Sequence, residues 1–465
     1  MDDYLGEPLS PMAQCFDSSS LRTYILAVFE FEAAFPYDSL LSTLDTLLSF
    51  PRFNSILVRD KINGVKRWER VEVKLEDHII QPTIPLDSMK CFSDYLSKIS
   101  LEHLSYSKPL WQVHVINYSN STTTIVFKVH HSIGDGFTFM GVILSCLKRA
   151  HDPSLPLTFP SLKSSNNNRS SHIGRLPCSL ISTTFTGIKY FGWSLLKSTW
   201  FEDDTTPLRS GNKKVQLQPA VISSIIFPMD RIKDIKSKLE VTVNDVITGI
   251  IFLGIRLYMQ DVDNNSRTKK CTLLTVLNTR NVQSYETAKD MRKSSEGKEK
   301  GSTAWGNQCS FMHVSVPKLK DTKTSDPLGF VWKVHHKMKK MKKLSLVYAL
   351  LGMLMKMKHQ FKGPEAVAKH MHKTMRNSSV LMSNMIGPLD QMAAANCPIK
   401  SFYFTLSGAP QSLAITVISY MGMLRVTTRT EEGFIDEKKL TSYLNDAFEI
   451  IHKAALDIPA DKAKF

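Results

Sequence analysis

The run Ile125-Val126-Phe127-Lys128-Val129-His130-His131-Ser132-Ile133-Gly134-Asp135-Gly136 places proton-transfer residue types at close spacing. Alternating apolar residues end in two histidines, and an aspartate and a glycine follow. In a strand, successive side chains point to opposite faces. Ile125, Phe127, Val129 and His131 therefore share one face, and Val126, Lys128 and His130 share the other. A regular strand cannot aim both histidines at one site. One is the candidate for chemistry and the other for a structural role. A metal site needs converging ligands, and no Cys or His cluster at ligand spacing completes one. Neutral imidazole near pH 7 can take a proton from a hydroxyl while that oxygen attacks a carbonyl. The alternative is a strand that ends in two hydrogen-bonded histidines. Asp135 could fix the loop that carries a base, and Gly136 could let a substrate approach the backbone.

The flanking sequence predicts the elements that position this run. Leu21 to Glu30 is rich in β-branched and aromatic residues and reads as a strand. Asp38 to Phe50 reads as a helix with Asp38 as its N-cap, and Phe139 to Ala150 as a helix after the glycine turn. Further on, Asp230 to Leu239 is helical. Thr242 can cap a next helix whose apolar face is Ile247, Ile250, Ile251 and Ile255. Asn244 sits in its first turn, where an amide commonly bonds local backbone. Leu273 to Asn278 reads as an apolar strand, followed by Arg280. The polar stretches 163–170 and 291–301 read as a linker and an exposed loop.

The chain has 465 residues, 42% of them hydrophobic, which suits a globular protein with room for two or more domains. Its formal net charge of +16 admits nucleic acid, an anionic membrane or anionic substrates as partners. No zinc finger, helix-turn-helix or RNA-binding aromatic motif is evident, so nucleic acid is not expected. The seven cysteines are scattered without a CxxC pair, which predicts reduced thiols rather than a disulfide framework. The start Met1-Asp2-Asp3 lacks a basic region before an apolar core, so no secretory signal is expected. Residues 177–201 are apolar and aromatic but interrupted by Lys189 and Lys197, which predicts an amphipathic helix on a membrane or on the protein rather than a span. Leu344 to Met355 follows a lysine-rich run. It is too short to span and reads as a core or acyl-tunnel helix, with membrane contact as the alternative.

Several distinct short blocks stand in order along the chain. They are Glu7-Pro8-Leu9-Ser10-Pro11-Met12, Pro51-Arg52-Phe53, Ser107-Lys108-Pro109-Leu110-Trp111, the His-His-Ser-Ile-Gly-Asp-Gly block, Val243-Asn244-Asp245-Val246, Trp305-Gly306-Asn307, Ser383-Asn384-Met385-Ile386-Gly387-Pro388 and Leu406-Ser407-Gly408. In these the sequence resembles the plant wax ester synthase/diacylglycerol acyltransferase family, over nearly its whole length. The resemblance implies an α/β, two-domain CoA-dependent acyltransferase-like fold with mixed sheets and the active site between the domains. The expected division is an N-terminal domain over 1–160, a linker with a membrane-associated helix over 161–214 and a C-terminal domain over 215–465.

The resemblance also implies roles. His131, of the His-xxx-Asp core, becomes the general base and His130 the structural partner. Asn244 belongs to an Asn-Asp pair that lines the active site, where its amide could stabilise an oxyanion. In the wider acyltransferase group an arginine after such a strand pairs with the loop aspartate, so Arg280 is the expected partner of Asp135. Asn281 stands where some relatives carry proline. The implied reaction is acyl transfer from long-chain acyl-CoA to a long-chain alcohol, or to diacylglycerol. Acyl-CoA is a co-substrate, and no bound cofactor or metal is implied. The rival readings are another alcohol acceptor or a non-catalytic lipid-binding protein. The expected location is the cytosolic face of the endoplasmic reticulum membrane, with the plasma membrane as an alternative; the oligomeric state is not legible.

Overall fold

The structure is a computed structural model that describes residues 6–60, 66–82, 89–119, 121–159, 176–278, 305–319, 326–342 and 345–459. The stretches 163–170 and 291–301 and Arg280 lie outside these residues. Two sheets carry the fold. The first has seven strands in the order Ile79–Ile80, Trp111–Asn117, Thr123–His130, Tyr24–Phe31, Cys397–Ser407, Met392–Ala394 and Lys148–Arg149. The second has six, in the order Cys309–Ser315, Thr272–Asn278, Val380–Met385, Leu413–Tyr420, Met423–Glu431 and Ala220–Pro228. Residues 392–407, within the span expected for the second domain, therefore supply two strands to the first sheet.

The two-residue alternation sorts the histidines to opposite faces. Tyr24–Phe31 runs antiparallel to Thr123–His130, with Tyr24 opposite His130 and Ile25 opposite Val129. The His131 N–H donates to the Thr23 carbonyl at 3.0 Å, so the alternation continues one residue past the strand. His130 points to the face that carries Tyr24 and Lys128. There its ring meets the Tyr24 ring edge-on at 5.2 Å, and its Nδ1 lies 2.7 Å from Ser132 Oγ. The opposite face carries Ile25, Ala27 and Phe127 and is covered by the helix Gly136–Cys146.

Several helix ends differ from expectation, each for a local reason. The first long helix is Tyr37–Leu48, with Pro36 at the N-cap; Asp38 lies inside its first turn, where a carboxylate faces the positive end of the dipole. The helix expected over 139–150 is Gly136–Cys146, because the Asp135 side chain accepts from Thr138 N and starts it early. Lys148–Arg149 leaves it to pair with Met392–Ala394. Thr242 does cap Val243–Val262. Its hydroxyl accepts from Asp245 N at 3.2 Å, and Asp245 accepts from Thr242 N at 3.0 Å.

The aromatic segment forms the helix Leu176–Thr199. Its buried Lys197 pairs with Asp203 at 2.5 Å and donates to the Asn377 carbonyl at 2.8 Å, so this end is tied to the protein. Among the described residues, no single helix is long and apolar enough to cross a membrane. The segment expected as a core or tunnel helix lies in Ser345–Arg376, and much of it faces solvent: Leu350, Met353 and Leu354 are exposed.

Burial keeps His130, His313 and His114 neutral. Burial pushes His130 and His313 down to about 3 and His114 to about 4. The unfolded chain protonates each near its ordinary value, whereas the folded chain does not, so the unfolded state binds more protons between these limits. Stability is complete above about pH 6.5 and falls with acidification, by roughly 2 kcal/mol per histidine at pH 5. The urea midpoint should be clearly lower at pH 5 than at pH 7.5. An equal midpoint at both would contradict the neutral burial.

Candidate active site

His131 lines a largely apolar cavity between the two sheets. Ile25, Ala27 and Phe404 come from the first sheet, Leu381 and Ser383 from the second, and Phe139 from the covering helix. The Phe16 ring stacks on the imidazole, with centroids 4.2 Å apart and planes 19° apart. Phe16 ends the short helix Pro11–Phe16, which Ser10 caps and Pro11 starts.

One side chain decides which imidazole nitrogen can act as a base. Asn307 Oδ1 lies 3.0 Å from His131 Nδ1, and Asn307 Nδ2 donates to the His131 carbonyl at 2.8 Å. A carbonyl oxygen only accepts, so the amide nitrogen must face it. The amide oxygen then faces Nδ1, which must carry the proton. Nε2 is left with a free lone pair. Removal from water pushes the His131 pKa below its ordinary value, and the Asp135 charge and the Asn307 bond oppose that shift. The group is therefore neutral at pH 7.

The loop after His131 is fastened to segment 305–308. Asp135 Oδ2 accepts from Gln308 N at 2.9 Å, and its Oδ1 accepts from Thr138 N at 3.1 Å. Thr138 Oγ1 donates to the Gly306 carbonyl at 3.0 Å. The buried Arg52 donates to the Ile133 carbonyl at 3.1 Å and pairs with Glu7 at 2.9 Å. Asp135 thus ties the loop to segment 305–308 and to the helix that follows. At Gly136 the closest approach is made by Met385. A Cβ built there would stand 2.5 Å from the Met385 sulfur. Both residues line the cavity.

Asn244 is placed differently. Its Oδ1 accepts from Asn384 Nδ2 at 2.9 Å. Ser383 and Met385 line the cavity, whereas Asn384, between them on the strand, turns to Asn244. Asn244 thus stands behind the cavity wall. Its neighbour Asp245 contacts His335 Nδ1 at 2.9 Å. Asn307, Phe16 and Arg52 received no role from the sequence. Their only signal was membership of the blocks 305–307, 7–12 and 51–53, or a position just after one.

A second cavity continues along the same sheet face. It is lined by Phe29, Leu44, Phe127, Val142 and Leu147, and it shares Ile143 with the first. Both have strongly apolar walls.

Comparison with known proteins identifies the fold and the family. The chain spans 96% of its length on a wax ester synthase/diacylglycerol acyltransferase from Marinobacter aquaeolei VT8, with a TM-score of 0.57, 17% identity and 99% of that chain covered. It also superposes on the starter condensation domain of rhizomide synthetase, solved with C8-CoA and Leu-SNAC, with a TM-score of 0.59 at 10% identity, covering 99% and 96% of the two chains. The fold is that of a two-domain CoA-dependent acyltransferase, and the protein is an O-acyltransferase. Residues 42–247 match the wax ester synthase/diacylglycerol acyltransferase catalytic domain, and 305–452 match the WS/DGAT C-terminal domain. The chain belongs to the wax ester synthase/diacylglycerol acyltransferase family. It is 27% identical to wax ester synthase/diacylglycerol acyltransferase 3 of Arabidopsis thaliana, covering 97% of this chain and 94% of the relative. With number 7 of the same plant it is 28% identical, over 97% and 98%.

If Asn307 sets the tautomer, its loss should strike turnover more than binding. Asn307→Ala should lower kcat by at least about tenfold with little change in KM for acyl-CoA. A steady-state assay of a variant with native circular dichroism checks this. A change confined to KM would argue for a binding role.

Proposed function

We propose that the protein transfers the acyl group of a long-chain acyl-CoA to a long-chain fatty alcohol, giving a wax ester, and that diacylglycerol serves as a second acceptor, giving triacylglycerol. The observation that carries this reading is the neutral His131, with Nδ1 held by Asn307, on the wall of an apolar cavity. Nε2 takes the proton of the acceptor hydroxyl. The alkoxide attacks the thioester carbonyl, the carbon–sulfur bond breaks, and the imidazolium returns its proton to the CoA thiolate. No GxSxG elbow occurs in the sequence, so direct attack needs no acyl-enzyme. Acyl-CoA enters as co-substrate, and the scheme uses no bound cofactor. The apolar walls of the two cavities, which share Ile143, suit alkyl chains.

For Asn244 the proposed role is positioning: its amide oxygen accepts from Asn384 and so holds the strand whose Ser383 and Met385 line the cavity. For Arg280 the proposal is an ion pair with Asp135 that holds the loop. Asp135→Asn combined with Arg280→Ala should then cost little more activity than either change alone. Additive losses would show that the two do not act together.

Both acceptors are nearly insoluble in water, so we place the protein at the cytosolic face of the endoplasmic reticulum membrane, attached peripherally. Purified protein with labelled palmitoyl-CoA, hexadecanol and diacylglycerol should yield both products. A panel of short and phenolic alcohols separates the neighbouring specificities. His131→Ala should reduce formation of either ester by about 10²–10⁴-fold while the protein stays folded. Full activity in a folded His131→Ala protein would falsify the mechanism.

A further inference from the structure

The Ser345–Arg376 helix is broken at Gly363, whose φ of 74° and ψ of 173° are not helical, and Pro364 restarts it. The two halves meet different surroundings. Beyond the break, Val367, Ala368, Met371 and Met375 are buried in the cluster that contains Phe16, and Met375 lines the His131 cavity. Ser20 Oγ donates to Glu365 Oε1 at 2.5 Å, which ties the break to the segment after Phe16. Before the break, Met355 packs against this same cluster. The other side of that half is bare: Leu350, Met353, Leu354, Met357 and Phe361 are exposed, Met353 at 59% and Phe361 at 80%.

These five positions lie at i, i+3, i+4, i+7 and i+11, so they share one face of the helix and form a single stripe. Lys356 lies on one flank of the stripe, and Lys358 and Lys362 lie on the other. A soluble surface rarely carries such a continuous apolar strip. Two kinds of occupant could cover it. A second copy would set one chain of formal charge +16 against another, and lysine against lysine. An anionic bilayer accepts the stripe into its apolar boundary and the flanking lysines at its headgroups.

We propose that the Leu350–Phe361 stripe is the surface by which the protein docks on a bilayer containing anionic lipid. This deepens the membrane attachment proposed above and rests on it. Beyond the break at Gly363, the second half of the helix reaches the cavity wall at Met375.

The full chain should be tested by co-sedimentation with phosphatidylcholine vesicles, with and without phosphatidylserine. The wild type should favour the anionic vesicles and be released by salt. The triple variant Met353→Glu, Met357→Glu, Phe361→Glu changes only exposed positions. Its vesicle affinity should fall by at least about tenfold. Its turnover of hexadecanol in detergent micelles should be unchanged, and its turnover of diacylglycerol in vesicles should drop. Vesicle binding equal to wild type would overturn the proposal, as would a wild type that binds no vesicles. So would a wild-type dimer that becomes monomeric in the variant while vesicle binding persists, since the stripe would then belong to a second copy. If the variant loses binding while wild type and variant alike form no ester in micelles, the docking surface stands and the proposed reaction fails.

Discussion

An imidazole acts as a base only at the nitrogen that carries no proton. Here a single amide determines which nitrogen that is. Asn307 is bound to both ends of His131, at the backbone carbonyl and at Nδ1. The backbone bond orients the amide, and the oriented amide sets the tautomer. The same segment also holds Gln308 N on Asp135 and the Gly306 carbonyl on Thr138. Loop 131–138 and segment 305–308 are thus one unit, although 176 positions separate His131 from Asn307. The cavity between the sheets has its histidine in place because this unit holds.

The pleat of the strand does the rest of the sorting. His130 is fully enclosed beside Tyr24, and burial drives it down to about 3. His131 is one residue on, faces the cavity and is lowered by the same desolvation, against the opposing pull of Asp135. Neutrality at both positions is useful. An imidazolium at His130 would repel a second one next door, and the proposed reaction needs His131 to gain a proton transiently. The apolar walls that suit long alkyl chains thus also keep the base unprotonated.

The sequence reveals the parts of this that are local. Alternation with period two separates the histidines without any tertiary information, and the Thr242–Asp245 capping box is visible as a spacing. Asp135 was legible as a loop residue, but its role as N-cap was not. The helix therefore begins three residues before its predicted start. Strand exchange by residues 392–407 depends on partners hundreds of positions away, such as Tyr24–Phe31. For the same reason Asn307 had no role in the sequence, since nothing nearby marks an asparagine as a histidine's partner. The apolar stretch 344–355 was ambiguous because composition gives hydrophobicity, whereas exposure depends on what packs against it. Asn244, drawn into the site by resemblance, proves to stand behind the wall and to bond Asn384.

The proposed reaction depends on a neutral His131 that carries its proton on Nδ1. Nitrogen-15 NMR of protein labelled at histidine, assigned by subtraction of the His131→Gln spectrum, reads this directly. The Nδ1–H tautomer is expected at pH 7, persisting as the pH falls below about 6.5, where an ordinary imidazole is half protonated. An Nε2–H tautomer, or an imidazolium at pH 7, would contradict it.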